Sequence, residues 1–263
     1  MRPPRAAILM YHRVSETGAE PEEGDYALPS ALFEAQIRLL AAEGRAVVPL
    51  VSLAQGPYPD GAVVLTFDDG CDTDAMIAAP LLRTLGFPAA FFVNPARVGQ
   101  AGRLSWDQLR GLAADGFAIG SHGLDHTLLD HVSAPELQRQ LVDSKQRLQE
   151  CLRQPVDALS LPGGRGGRRA WRMANAAGYR WVLGSRPGLV RGAAGAGILP
   201  RFPLRRAHGL AGFSAAVGQR PSFLLRQLLR HQATHVTRAL LSARAYDSLR
   251  RLWLARFHPT GRA

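Results

Sequence analysis

The sequence predicts an α/β protein: a (β/α) barrel over residues 1–220 followed by a basic, amphipathic helical extension over 221–263. Three observations carry this. Short apolar runs alternate with helix-periodic segments from Ala62 to Gly184, the pattern of parallel strands covered by helices. Polar residues stand at the ends of those runs, Asp68-Asp69-Gly70 after one and His122 after another, as in barrels whose sites lie at the carboxyl ends of the strands. Beyond Pro221 the strand signal stops and only helical periodicity remains.

The elements follow in order. Ala6 to Met10 is a short apolar strand that ends in Tyr11-His12-Arg13-Val14. Residues 15–29 are polar and rich in Glu, Pro and Gly, a surface loop. Ser30 is expected to cap a helix through Glu43, with Phe33, Ile37 and Leu40 on one face and Gly44 as its stop. Val47 to Leu50 reads as a short strand or edge element, and 57–61 as the turn before the strand that carries Asp68. A helix over 75–85 ends at Gly86, and Ala89 to Val93 is strand. Ser105 caps a helix from Trp106 to Asp115, and Phe117 to Gly120 is the strand that delivers His122. Ser133-Ala134-Pro135-Glu136 reads as a capping box that opens a helix to about Leu152. Val156 to Leu161 is strand, 168–177 helix, Trp181 to Gly184 strand, and Leu199 to Leu204 a last strand-like piece. In the extension, Phe223, Leu224, Leu225, Leu228 and Leu229 alternate with Arg226 and Arg230. Leu241, Tyr246, Leu249, Leu252, Trp253 and Phe257 do the same beside Arg244, Arg250, Arg251 and Arg256.

Composition bounds the function classes. The 263 residues suffice for one large domain with a sizeable core. No run of 18 apolar residues suggests a membrane span, and the opening residues are too polar for a secretory signal, so a cytoplasmic protein is expected. Cys71 and Cys151 make no disulfide framework. Charge is unevenly placed: residues 158–263 hold 19 arginines and a single acidic residue, Asp247, a net of +18, against −7 for the first 157. Arg-for-Lys bias accounts for the lone Lys145 but not for the missing Asp and Glu. A polyanionic partner is therefore expected, the inner face of a membrane in preference to nucleic acid, since aromatic platforms among the arginines are few; the apolar stripes of the extension would equally serve to cover the barrel or a dimer partner.

The chemistry is carried by two motifs. Thr66-Phe67-Asp68-Asp69-Gly70 brings adjacent carboxylates to a strand end, where keeping both ionised calls for a cation. Ser121-His122-Gly123-Leu124-Asp125-His126 sets two histidines at i and i+4, so that both rings can face one ion. A carboxylate and two imidazoles leave coordination positions open, the donor set of a catalytic divalent metal such as zinc. The sequence alone does not say which Asp binds.

These motifs, in this order and some fifty residues apart, resemble the NodB-like polysaccharide deacetylases (carbohydrate esterase family 4) from Ile8 to about Arg205. The resemblance implies a distorted, incomplete barrel and a metal-dependent hydrolase that removes an N-acetyl group from an amino sugar, in a polysaccharide or a lipid-linked glycan. It implies Asp69, His122 and His126 as metal ligands and Asp68 as the base. In the permuted branch, which includes poly-N-acetylglucosamine deacetylases, the general acid stands before the Asp pair in a Tyr-His motif. Tyr11-His12 matches it, with His208 as the late alternative. The family's Arg-x-Pro-Tyr-Gly loop appears here as Ser160-Leu161-Pro162-Gly163-Gly164, so Ser160 replaces the arginine that pairs with the base. Gly163 and Gly164 can still offer backbone N–H groups to an oxyanion. Arg201 is either the missing guanidinium or a surface arginine. Gly123 stands where the family has a hydroxyl residue, Trp181 is expected to line the sugar cleft, and Cys71 reads as a small core residue. The rival of a different class is a catalytically silent barrel that binds sugar or serves as a scaffold.

Overall fold

Eight short parallel strands curl into one nearly closed sheet in a computed structural model that describes residues 2–16, 24–56, 58–194 and 197–240. The strands are β1 (Arg5–Tyr11), β2 (Ala62–Phe67), β3 (Ala89–Val93), β4 (Ala118–Ser121), β5 (Ala158–Ser160), β6 (Trp181–Leu183), β7 (Ile198–Leu199) and β8 (Phe202–Pro203). Their spatial order is β7-β6-β5-β4-β3-β2-β1-β8, every neighbour parallel, and Val190–Arg191 adds antiparallel to β1. The architecture is the expected (β/α) barrel.

The alternation of side chains divides the core in two. Ala6, Ile8, Ala62, Val64, Ala90, Phe92 and Leu183 point inward and pack together inside the barrel. Ala7, Leu9, Tyr11, Val63, Leu65, Phe67, Ala89, Phe91 and Val93 point outward and meet the helices. Burial on both faces explains the unbroken apolar runs in the sequence. At Gly120 a Cβ would stand 2.5 Å from the Phe92 ring, so only glycine lets that ring fill the interior.

The helical layer comprises α1 (Ser30–Ala42), α2 (Ala79–Thr84), α3 (Trp106–Ala114), α4 (Ala134–Leu152), α5 (Gly167–Ala176), α6 (Gly209–Val217) and α7 (Pro221–Leu240). Helix α1 buries Phe33, Ile37 and Leu40 as its spacing predicts, but Pro29 occupies the cap position and Ser30 is already helical. The helix expected over 75–85 opens as a wide turn over Asp74–Ala78, because Pro80 has no N–H to continue a regular ladder. Ser105 and Gln108 form a complete capping box. At Ser133 only half forms: its hydroxyl accepts the Glu136 N–H, while the Glu136 carboxylate turns to Arg139 and Gln140. Helix α6 has no counterpart among the expected elements.

The most consequential departure concerns residues 199–204, read from sequence as one piece of strand. They are two half-strands on opposite edges of the sheet: Leu199 pairs with Leu183 of β6, whereas Phe202 pairs with Leu9 of β1. Two residues, Pro200 and Arg201, bridge the seam that nearly closes the barrel. Of the expected extension, α7 is described to Leu240, and the second amphipathic stretch from Leu241 to Phe257 lies outside the described residues.

Candidate active site

The inward parity of the strands builds the site. Positions 6, 8 and 10 of β1 face inward, as do 62, 64 and 66 of β2, so the next inward positions are His12 and Asp68. The register Met10↔Thr66, carried one step further, sets these two side by side, and the Asp68 N–H donates to the Tyr11 carbonyl at 3.0 Å. Asn94, His122 and Ser160 are the corresponding positions of β3, β4 and β5. All are delivered to the carboxyl end of the barrel.

Asp69 follows the strand in a left-handed conformation (φ 76) that turns its carboxylate back over the barrel mouth. His126 shares that strained region (φ 74). Four non-glycine residues among those described have positive φ, and two of them belong to this cluster, so the surrounding contacts must hold the strain. The i,i+4 histidines are not on a helix. Gly123 (φ 75) starts an irregular loop, pinned where Leu124 N–H meets Gln140 Oε1 and Gln140 Nε2 reaches Asp125 Oδ1. A Cβ on Gly123 would press on Pro162 Cγ at 3.3 Å, which explains why a hydroxyl residue is absent there.

Asp69 Oδ1 lies 3.3 Å from His122 Nε2 and 3.2 Å from His126 Nε2. Donors about 2.1 Å from a shared ion stand roughly 3.0–3.4 Å apart, so the spacing fits one metal. The tautomer fits too. His122 Nδ1 is 2.8 Å from the Ser160 carbonyl, which can only accept, so the proton sits there and the Nε2 lone pair faces the carboxylate. Two lone-pair atoms facing each other in a buried site call for a cation between them. Burial opposes charge on His122, yet Asp68 and Asp69 outweigh it and raise its pKa: the site draws positive charge.

Asp68 is excluded from that set because Arg201 claims it. Arg201 is fully buried, which removes the surface alternative. All five guanidinium N–H groups are engaged: Nε with the Gly184 carbonyl, Nη1 with Thr66 Oγ1 and Asp68 Oδ1, Nη2 with Asp68 Oδ2 and Ser160 Oγ. The small Ser160 leaves room for this and donates its own hydroxyl to Asp68 Oδ2 at 2.9 Å. Burial alone would push the Asp68 carboxyl up. The Arg201 and His122 charges and the Arg201 hydrogen bonds overcome it and hold the group below its ordinary value.

The His12 ring packs against Tyr26 at a 45° tilt with centroids 4.6 Å apart, and its charge adds to the field that holds both aspartates ionised. His208 sits elsewhere, packed edge-on to Phe223 of α7 with Nε2 3.2 Å from Gln227 Nε2. Gly163 and Gly164 both adopt positive φ, but the Gly164 N–H is committed to the Leu161 carbonyl at 2.7 Å, which leaves Gly163 as the oxyanion candidate. Trp181 does not line the mouth: it begins β6, at the opposite end of the barrel, where it packs on the inner core. Cys71 is buried at the site's edge, 3.5 Å from Arg103 Nη1, and neither cysteine forms a disulfide.

Sequence reasoning missed three supporting side chains. Gln140 holds the His loop, Asn94 donates to the His122 carbonyl, and Arg103 donates to the Asp69 carbonyl at 3.2 Å. Each looks like an ordinary polar residue in sequence, though Asn94 could have been found as the next inward position of β3. Asp74, fully buried nearby, is held well above the usual carboxylate range by burial first and the Asp69 charge second.

Comparison with known proteins places this geometry. The family model described as polysaccharide deacetylase matches residues 55–182, which takes in Asp68, Asp69, His122, His126 and Ser160 but neither His12 nor Arg201. YxkH of Bacillus subtilis (strain 168), to which a polysaccharide deacetylase activity is ascribed, is 28% identical over 216 residues, 80% of this chain and 75% of that protein. The Streptococcus pyogenes deacetylase PplD, solved in complex with acetate, superimposes with a TM-score of 0.74 at 23% identity, covering 82% of this chain and 99% of that one. IcaB from Ammonifex degensii gives 0.72 at 22% identity, with 82% and 98% covered. Those two structures share its fold, and the sequence matches carry the domain assignment: residues 55–182 match the polysaccharide deacetylase model, a NodB-like domain set on a nearly closed (β/α) barrel.

Proposed function

We propose that this protein is a metal-dependent hydrolase that removes the N-acetyl group from an amino sugar of a glycan. The observation that carries the reading is the Asp69–His122–His126 donor set beside an Asp68 held ionised by Arg201, with His12 next to it at the barrel mouth. Asp69, His122 and His126 would hold the ion, zinc by its taste for mixed nitrogen and oxygen donors with positions left open. When bound, such an ion supplies Lewis-acid polarisation and makes water a nucleophile at neutral pH.

The chain's own residues do the rest. Asp68 takes the proton of the attacking water, a role that needs the carboxylate form Arg201 preserves. Gly163 turns its N–H to the oxygen that gains charge as the carbonyl carbon becomes tetrahedral. His12 gives a proton to the departing nitrogen, so the amide is split into acetate and a free amine. Arg201 touches no substrate in this account and acts by positioning Asp68.

The test is acetate release from N-acetylated glycans, run with metal analysis of the purified protein. Asp69→Ala should lose both metal and activity. Asp68→Asn should keep its metal while kcat falls by about 10²–10⁴-fold, as should His12→Ala, with His208→Ala near wild type. A wild-type protein that holds metal and releases no acetate from any N-acetylated glycan would favour the silent binding barrel. Wild-type activity in His12→Ala would remove it as the acid.

A further inference from the structure

Helix α7 carries an apolar edge that the described fold leaves uncovered. Phe223 and Leu224 pack into the outer core, and Gln227 reaches His208. One step round the helix, Leu225 and Leu229 stand at i and i+4 with 58% and 56% of their surface exposed, and the exposed Arg226 flanks them, whereas Arg230 turns back toward Arg205 and Tyr26. Leu210 of the neighbouring α6 is exposed as well. Large exposed leucines set in a row beside arginines are the composition of a helix that rests in a lipid interface.

We propose that this edge of α7 docks the protein on an anionic phospholipid surface. Leu225 and Leu229 would enter the boundary between headgroups and acyl chains, while Arg226 extends along it to the phosphates. Charge selects this occupant over a second copy of the chain. A two-fold interface through this edge would bring together two copies of a leucine row flanked by Arg226, in the basic half of each chain. An anionic bilayer matches the whole half from 158 to 263, with its net of +18.

The position of α7 ties docking to the active site. Arg230 lies in the electrostatic field of Arg205, Asp25 and Tyr26. Arg205 Nη2 donates to Tyr26 Oη at 2.8 Å, and the Tyr26 ring packs at a tilt against His12. The helix thus lies a few side chains from the barrel mouth, where a docked protein would meet glycan held at a membrane. The proposal stands on the surface of α7 and does not depend on the chemistry of the site.

The experiment is sedimentation of the full chain with vesicles of phosphatidylcholine alone or mixed with phosphatidylglycerol, in low and high salt. Binding is expected only to the mixed vesicles and should weaken in high salt. Arg226→Glu removes two units of favourable charge, so about 25-fold weaker binding is expected at about fivefold each. Leu225→Gln/Leu229→Gln should lose binding at least as far, with circular dichroism and acetate release unchanged. Equal sedimentation with neutral vesicles, no sedimentation with either, or full binding by the double variant would overturn the proposal. So would a dimer in light scattering that the double variant abolishes, which would assign the edge to a second copy.

Discussion

Cutting the Arg201–Asp68 pair from either side gives a demanding test of the site's construction. Both groups are buried, joined by two hydrogen bonds of 2.8 and 2.7 Å, and further tied to Ser160, Thr66 and Gly184. Arg201→Met leaves a carboxylate without its countercharge, and Asp68→Asn leaves a guanidinium without one. Each should cost about 3–5 kcal/mol, because an uncompensated buried charge has lost its water and gained nothing. The double variant removes both charges and should cost no more than either single one, a non-additivity of about 3 kcal/mol or more. Denaturant unfolding with excess chelator, at equal m-values, measures all four proteins without interference from bound metal. For a chain of this size the single variants should melt roughly 6–20 °C lower. The sign with pH is fixed as well. Asp68 has a depressed pKa in the fold, so the pair's contribution is present above the ordinary carboxylate pKa and fades as pH falls through the folded value. The coupling should therefore shrink in acid. Single-variant costs below 1 kcal/mol, or costs that simply add, would refute the idea that the pair is buried and mutually dependent.

Two further outcomes follow from local geometry. Burial first, then Arg205 and Arg230, push the His208 pKa from 6.5 down to about 4, so the fold prefers the neutral ring. Wild-type stability should fall as pH drops from 6.5 towards about 4, and thermal unfolding of His208→Gln should lack that part of the slope; identical slopes would place His208 in solvent. Gly123→Ala forces a left-handed alanine against Pro162 and should cost about 1–2 kcal/mol while displacing the His122–His126 loop, read as weaker binding in a metal titration; wild-type affinity would mean the loop does not set the ligand geometry.

Much of this protein was legible before any coordinates. Ala62–Leu65 and Ala89–Val93 announce strands buried on two faces because β-branched, aromatic and alanine runs without polar alternation fit little else in a chain of this size. Asp68-Asp69-Gly70 is legible because a glycine after an apolar run marks the turn, and paired carboxylates there are costly without a cation. The i+2 parity that sends His12 and Asp68 inward is also a property of sequence, since side chains alternate along any strand. Helices with strong caps, such as Ser105/Gln108, fell where expected. Short and interrupted elements did not: the wide turn at Asp74–Ala78 and helix α6 depend on what lies beside them.

What only the tertiary structure decided is the site's long-range pairing. Arg201 is 133 residues from Asp68, in a segment whose local pattern reads as a plain strand. Its role arises because Leu199 and Phe202 join opposite edges of the sheet, so the residue at the seam must point into the barrel. The vacancy created by Ser160 is invisible from either residue alone. Gln140, likewise, is one polar residue among many on α4 until the fold sets it under the His loop. The sequence determined which local structures form and which chemistry they bring, since propensity, parity and turn formation act over a few residues. Closure of the barrel determined which distant charges meet, because burial makes an ion pair obligatory only once both partners have left water.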